Sequence, residues 1–184
     1  IVFALVGRSA NGLVAFIAAL VVAAGAAYVP INMQMTAAKV PFIHDISTDT
    51  ANVPAFVALA TARAAAPNGA DSNTAENAEA QKKGYPDIAP MVSTLPPADL
   101  FKKAEATARA MGWEIIATEP NEGRIEATDT TKWFGFKDDI VIRIVAEGTG
   151  SRLDIRSMSR VGKSDLGKNA ERVRAFLAAV KDAK

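Results

Sequence analysis

From Leu13 to Val29 the chain carries no charged side chain, and this run constrains everything that follows. A helix over it rises roughly 26 Å at ~1.5 Å per residue, close to the ~30 Å hydrocarbon core of a bilayer. Pro30 is expected to close the helix, because it disfavours the α conformation in the residue before it. Tyr28 sits near that end, where an amphipathic ring suits the headgroup level. The expectation is a transmembrane helix over residues 13–31. Residues 1–12 then read as the end of a preceding segment and a short Gly7-Arg8-Ser9 turn, and the native protein starts further upstream. The other reading of such a run is a signal peptide, with Arg8 as its charged region and Gly25 to Ala27 as a small-residue cleavage site. Ala15, Ala18, Ala19, Ala23, Gly25 and Ala26 make the helix rich in small residues, which let helices approach closely in lipid.

A length of 184 residues suits one domain beside such an anchor. The 49% hydrophobic content is high for a soluble chain, and the excess is concentrated in residues 1–38. Lys and Arg number 21 against 20 acidic residues, so no net field recruits nucleic acid. The chain has no cysteine, which excludes disulfides, thiolate catalysis and cysteine zinc sites. Arg8 before the run and Lys39 after it lean toward a cytoplasmic start. The remaining domain, residues 41–184, is then expected on the periplasmic side of a bacterial inner membrane.

Within that domain, Pro41 to Thr50 reads as an extended exit strand, and Asn52 caps a short helix with Pro54 in its first turn, running to about Ala65. Asn68 to Lys83 is polar without apolar period and predicts a surface loop over 68–83. Gly84 to Pro97, with four prolines, predicts an extended packed connection. Leu100, Ala104, Ala108 and Met111 fall on one helical face, and Gly112 stops that helix. Trp113–Glu119 and Arg124–Thr128 form a hairpin about Asn121-Glu122-Gly123. Asp139–Ala146 is apolar on nearly both faces and predicts a central strand, followed by Arg152–Arg160. A final helix from about Asp165 to Asp182 carries Val173, Phe176, Leu177 and Val180. The fold class is α+β: a transmembrane helix, then a two-layer domain with a four-stranded antiparallel sheet and two or three helices.

Few residues invite chemistry. His44, the one histidine, stands with Asp45 and Asp49 and offers a partial metal set. The competing reading is a hydrogen-bonded histidine that pins the exit strand. No nucleophile elbow accompanies His44, so a Ser-His-Asp triad finds no support. Asp138 and Asp139 are adjacent, and in a strand they point to opposite faces. Trp133, Phe134 and Phe136, flanked by Lys132 and Lys137, either touch lipid headgroups or a partner, or else close the end of the core. Arg124, Glu126, Arg143, Arg152, Asp154, Arg156 and Arg160 alternate onto one sheet face. They read as exposed ion pairs or, since arginine exceeds acid, as a docking face for an anion or an acidic partner. Lys168, Arg172, Arg174 and Lys181 on the last helix read as a solvated polar face.

The segments PFIHDISTD at 41–49, YPDI at 85–88, EGRIEAT at 122–128, FGFKDDIVIR at 134–143 and GSRLDIRSMSRVGKSDLGKNAERVR at 150–174 together resemble the domain of unknown function family 1499 of bacteria and plant plastids. Val53 stands where that pattern leads one to expect proline. The resemblance implies a membrane context, since proteobacterial members carry transmembrane helices before the same His-Asp-Ile segment. It implies no reaction and supplies no catalytic residue. The expectation is a non-catalytic accessory or assembly subunit, without cofactor, whose partners are the bilayer and other integral membrane proteins. The alternatives are a module that holds a lipid or amphipathic ligand between sheet and helices, and an enzyme.

Overall fold

The computed structural model describes residues 10–70, 74–132 and 134–182. The expected turn and preceding segment over residues 1–9 lie outside the described residues. The chain divides into two compact units, Ile1–Val40 and Pro41–Lys184.

In the first unit a single helix, α1, spans Ala10–Ala37 with Pro30 inside it. The expected stop at Pro30 is therefore corrected. Proline removes one N–H···O bond, but apolar helices tolerate this where neighbouring groups satisfy the freed backbone. Near its end the Thr36 hydroxyl donates to the Asn32 carbonyl at 2.9 Å. Gly12–Ala37 is 26 residues, long and apolar enough to cross a membrane, and none of it is buried within the protein.

The second unit is an α+β domain built on an antiparallel sheet of six strands, two more than expected. These are β1 (Asp45–Ser47), β2 (Met91–Ser93), β3 (Glu114–Glu119), β4 (Arg124–Thr130), β5 (Lys137–Glu147) and β6 (Gly150–Ser159). The order is β1-β6-β5-β4-β3, with β5 in the middle, as its apolar run requires. The two additional strands are three residues each and pair end to end along β6, β1 against Arg156–Met158 and β2 against Ser151–Leu153. Such short pairings leave no alternation to read.

Four helices accompany the sheet: α2 (Ala60–Ala64), α3 (Ala75–Gly84), α4 (Pro97–Ala110) and α5 (Lys168–Asp182). The stripes on α4 and α5 pack over one sheet face. Leu100, Ala104 and Ala108 of α4 and Ile125, Ile140, Ile142 and Ile155 of the sheet are all nearly inaccessible to solvent. Phe176 of α5 stacks on Trp113 at 5.2 Å between ring centroids. Gly123 turns β3 into β4 with φ +63, where a Cβ would fall 2.0 Å from the Ile144 carbonyl oxygen. Only glycine fits both the left-handed backbone and that close approach.

The expected loop over 68–83 is instead largely the helix α3. The Thr74 side chain caps it by accepting from the Asn77 amide. It lacks an apolar stripe because it packs through amides. Gln81 donates to the Ser47 carbonyl at 2.7 Å and accepts from the Ser47 amide at 3.0 Å, in the manner of a neighbouring strand. Asn77 donates to the Asp45 carbonyl at 2.9 Å. Two buried side chains thus cover the free edge of β1, which would otherwise leave backbone groups unpaired. Replacing Gln81 with leucine removes both bonds from Ser47 while keeping the volume. The expected loss is about 1–3 kcal/mol, read by urea unfolding, with faster hydrogen exchange at the Ser47 amide.

Candidate functional site

The sheet face turned away from α4 and α5 carries alternate residues of four strands: Asp45 of β1, Arg152, Asp154, Arg156 and Met158 of β6, Asp139, Val141 and Arg143 of β5, and Arg124, Glu126 and Thr128 of β4. The arginines do share a face, as their alternation predicts. That face is not open, however, because the chain lays residues 54–70 across its middle. Phe56 and Leu59 pack on Val141 and Met158 in a small apolar cluster with Ala62 beside it.

Around that cluster every charge is engaged. Arg156, 4% exposed, forms a bidentate pair with Asp45 at 2.9 and 2.8 Å and donates to the carbonyls of Pro54 and Ala70. The expectation of an exposed docking arginine is corrected here, because its guanidinium is the post on which the covering segment is hung. Arg63, fully buried, reaches Asp139 at 3.3 Å and donates to the carbonyls of Gly69 and Met158. Burial is the larger influence on Arg63 and lowers its guanidinium, while Asp139 opposes it. Both guanidinium groups lie over the Phe56 ring, at 4.8 Å for Arg156 and 5.4 Å for Arg63, in cation–π contact. Asp139 also takes a fork from Arg160, at 2.9 Å on each oxygen, and a bond from the Thr128 hydroxyl. Glu126, wholly buried, accepts the backbone N–H groups of Val57, Ala58 and Leu59 at 2.9–3.0 Å and pairs with Arg124. It anchors the turn that leads into α2.

Arg143 and Arg152 are partly exposed at the rim. Both hold Asp154 and both reach Asp49, at 3.3 and 2.7 Å. Burial acts to raise the Asp49 carboxyl, but the amides of Asn52 and Ala51, then Arg152 and Arg143, outweigh it and hold the group below its ordinary value. His44 is half-buried; its ring Nδ1 lies 3.4 Å from the Lys163 carbonyl oxygen, and Nε2 is buried with no hydrogen-bond partner among the described residues. What pins the exit strand is the His44 carbonyl, which accepts from the Ser159 amide and the Asn169 side chain at 3.0 Å each. Asp45 and Asp49 face different arginines and do not converge with the imidazole. Among the described residues, no group of three His, Cys, Asp or Glu is placed to hold a metal ion. These carboxylates already accept bonds from guanidinium and amide donors, which uses much of their hydrogen-bonding capacity within the domain.

Asp138 and Asp139 point to opposite faces. Asp138 meets Arg172 of α5 at 2.7 Å, and Arg172 also holds Asp129 and bonds to Ser157 and Asn169. Arg172 is therefore a buried cross-layer tie, not part of a solvated helix face as expected. Arg174 pairs with Asp87 at the surface. Sequence reasoning also missed Arg63, Asp139 and Glu126 as buried anchors. Arg63 sits in an alanine-rich stretch whose pattern hides its inward direction.

The aromatic tip is the exception to this saturation. The turn between β4 and β5 is closed by Thr131, which donates to Phe136 and accepts from Gly135 and Phe136. Phe134 and Phe136 stack at 5.6 Å and are 74% and 52% exposed. They do not close the core. Trp133, expected to join them, lies outside the described residues. The layer between sheet and helices, where an amphipathic ligand was one expectation, is filled by Leu100, Ile125, Ile142, Ile155 and Phe176. A cavity of about 630 Å³ instead opens at the domain's edge, between the start of α4, the β3–β4 turn and the end of β5.

Two outcomes follow from this geometry. Arg156→Gln leaves a buried Asp45 short of its counter-charge and should cost about 3–5 kcal/mol in urea unfolding, well above the ~0–1 kcal/mol of an exposed pair. The lowered Asp49 carboxyl adds stability that is present above its unfolded value and lost as pH falls through its folded one. Asp49→Asn should thus be less stable than wild type at neutral pH. The gap should close in acid below the ordinary 3.8, as followed by thermal melts across pH.

Residues 45–180 match the family described as protein of unknown function, DUF1499. No curated protein matches the chain. Among solved structures, Ara h 8.0201 is 15% identical with a TM-score of 0.39, over 50% of this chain and 91% of its own. CalU16 from Micromonospora echinospora is 14% identical with a TM-score of 0.37, over 50% and 73%. Protein CV1439 from Chromobacterium violaceum is 15% identical with a TM-score of 0.36, over 52% and 96%. Likenesses at this level carry no argument about function.

Proposed function

The chain belongs to the DUF1499 family of unknown function, and we propose that it is a membrane-anchored, non-catalytic accessory or assembly module that docks on other integral membrane proteins. The observation that carries this reading is α1: Gly12–Ala37 is helical, apolar and of membrane-crossing length, with none of its apolar window buried. Such a surface is stable only in lipid or against another apolar surface. The engagement of the polar sheet face supports it from the other side. The charges that looked free for a substrate or partner are spent on holding residues 49–70. Docking in this reading passes through the anchor, whose small residues allow a neighbouring helix to approach closely. The domain lies on the periplasmic side of a bacterial inner membrane, an orientation that Arg8 ahead of the helix favours.

Full-length protein expressed in bacteria should stay in the membrane pellet after carbonate washing and should keep its N-terminal helix. Extraction by carbonate, or a mature protein cleaved after Ala27, overturns the anchor. Ala19→Leu with Ala23→Leu should leave insertion intact. The pair should also reduce several-fold the recovery of any stoichiometric membrane partner purified in mild detergent, and unchanged recovery overturns docking through this face.

A further inference from the structure

The register of the sheet brings three separate pieces of chain to one end of the domain. Asp45 at the start of β1 pairs with Met158 near the end of β6, Asp138 near the start of β5 pairs with Ser159, and Thr130 at the end of β4 pairs with Lys137. The β4–β5 turn, the loop leaving β6 and the residues entering β1 therefore lie together. The chain reaches the domain at this end, since Pro41 opens the second unit and Ala37 ends α1.

That same end carries the exposed rings. Phe134 and Phe136 stand on the β4–β5 turn, Phe42 on the entering segment is 73% exposed, and Val161 lies exposed in the loop after β6. Their charged neighbours are mainly basic. The strand-end acids are used internally: Asp129 and Asp138 by Arg172, Asp139 by Arg63 and Arg160. Lys137 shares Glu114 at 3.8 Å. Lys132 and Lys163 have no ion-pair partner among the described residues, while Glu76 at the rim beside Phe42 is the acid that tempers the patch.

Exposed aromatic rings beside free ammonium groups, on an end joined to a membrane-length helix, match the layered chemistry of a bilayer interface. Rings settle at the headgroup–acyl boundary and lysines meet phosphate above it. We infer that this end of the domain is a lipid-contacting surface, with the Phe134–Phe136 tip inserted into the headgroup region of an anionic membrane. The inference rests on the anchored reading of α1. It assigns the tip to lipid and not to a protein partner.

Because residues 1–184 contain no cysteine, a single labelled position in this chain reports cleanly. The 184-residue chain with Phe134→Cys, carrying an environment-sensitive fluorophore, is reconstituted in nanodiscs of phosphatidylcholine with phosphatidylglycerol. Asn121→Cys in the β3–β4 turn, at the opposite end of the sheet, is the control. The probe at 134 is expected to be quenched by headgroup-level nitroxide lipids and shielded several-fold from iodide relative to 121. Removing phosphatidylglycerol, or adding Lys132→Gln with Lys163→Gln, should weaken both effects. Equal iodide access at 134 and 121 overturns the inference. Shielding without nitroxide quenching overturns it too, since it marks a second copy of the chain as the cover. Phe136→Cys, an exposed site on the same turn, repeats the measurement should Phe134→Cys fold poorly. Carbonate resistance reads α1 separately, so a water-exposed probe on a carbonate-resistant protein refutes the tip and leaves the anchor standing.

Discussion

A charge taken out of water must be paired, and this requirement organises the domain around Arg156. Its guanidinium binds Asp45 on the neighbouring strand and the carbonyls of Pro54 and Ala70 in the segment above. One side chain therefore joins β6, β1 and both ends of the cover. Arg63 answers from the cover, binding Asp139 in the sheet below. Glu126 captures three successive amides ahead of α2. Sliding the cover by one residue would strand a buried carboxylate or guanidinium, at a cost of several kcal/mol. The apolar cluster of Phe56, Leu59, Val141 and Met158 supplies attraction, while the charges supply register.

The two sheet faces are thus built on different principles. Against α4 and α5 the packing is mainly apolar, with Arg172 tying the last helix to Asp129 and Asp138 and Asn169 tying it to Ser157 and Ser159. Against residues 49–70 it is mainly polar and leaves little unsatisfied. Among the described residues of the domain, the edge cavity near Phe101 and the aromatic tip are turned outward, and in the first unit the helix α1 has no buried window.

The arginine face shows how far sequence reasoning reaches into a site. Alternation correctly collected Arg124, Arg143, Arg152 and Arg156 on one side, because side-chain direction in a strand is local. It could not say what lay above them, because residues 54–70 meet that face across a long sequence separation. Arg172 was misread for a similar reason, as its partners come from β4, β5 and β6. The α3 helix was missed because its packing uses Asn77 and Gln81, and amide side chains leave no hydrophobic period.

The sequence by itself determined the apolar membrane-length helix, the family, the α+β class, the β3–β4 and β5–β6 hairpins and the helices α4 and α5. Each of these depends on patterns within a few consecutive residues: run length, period, and glycine at a turn. Tertiary structure decided the rest. The strands β1 and β2, the edge-capping role of α3 and the burial of Arg63, Arg156 and Arg172 all depend on pairings between segments distant in the chain. A charged residue reads the same whether water or a carboxylate faces it, and only the folded chain supplies the carboxylate.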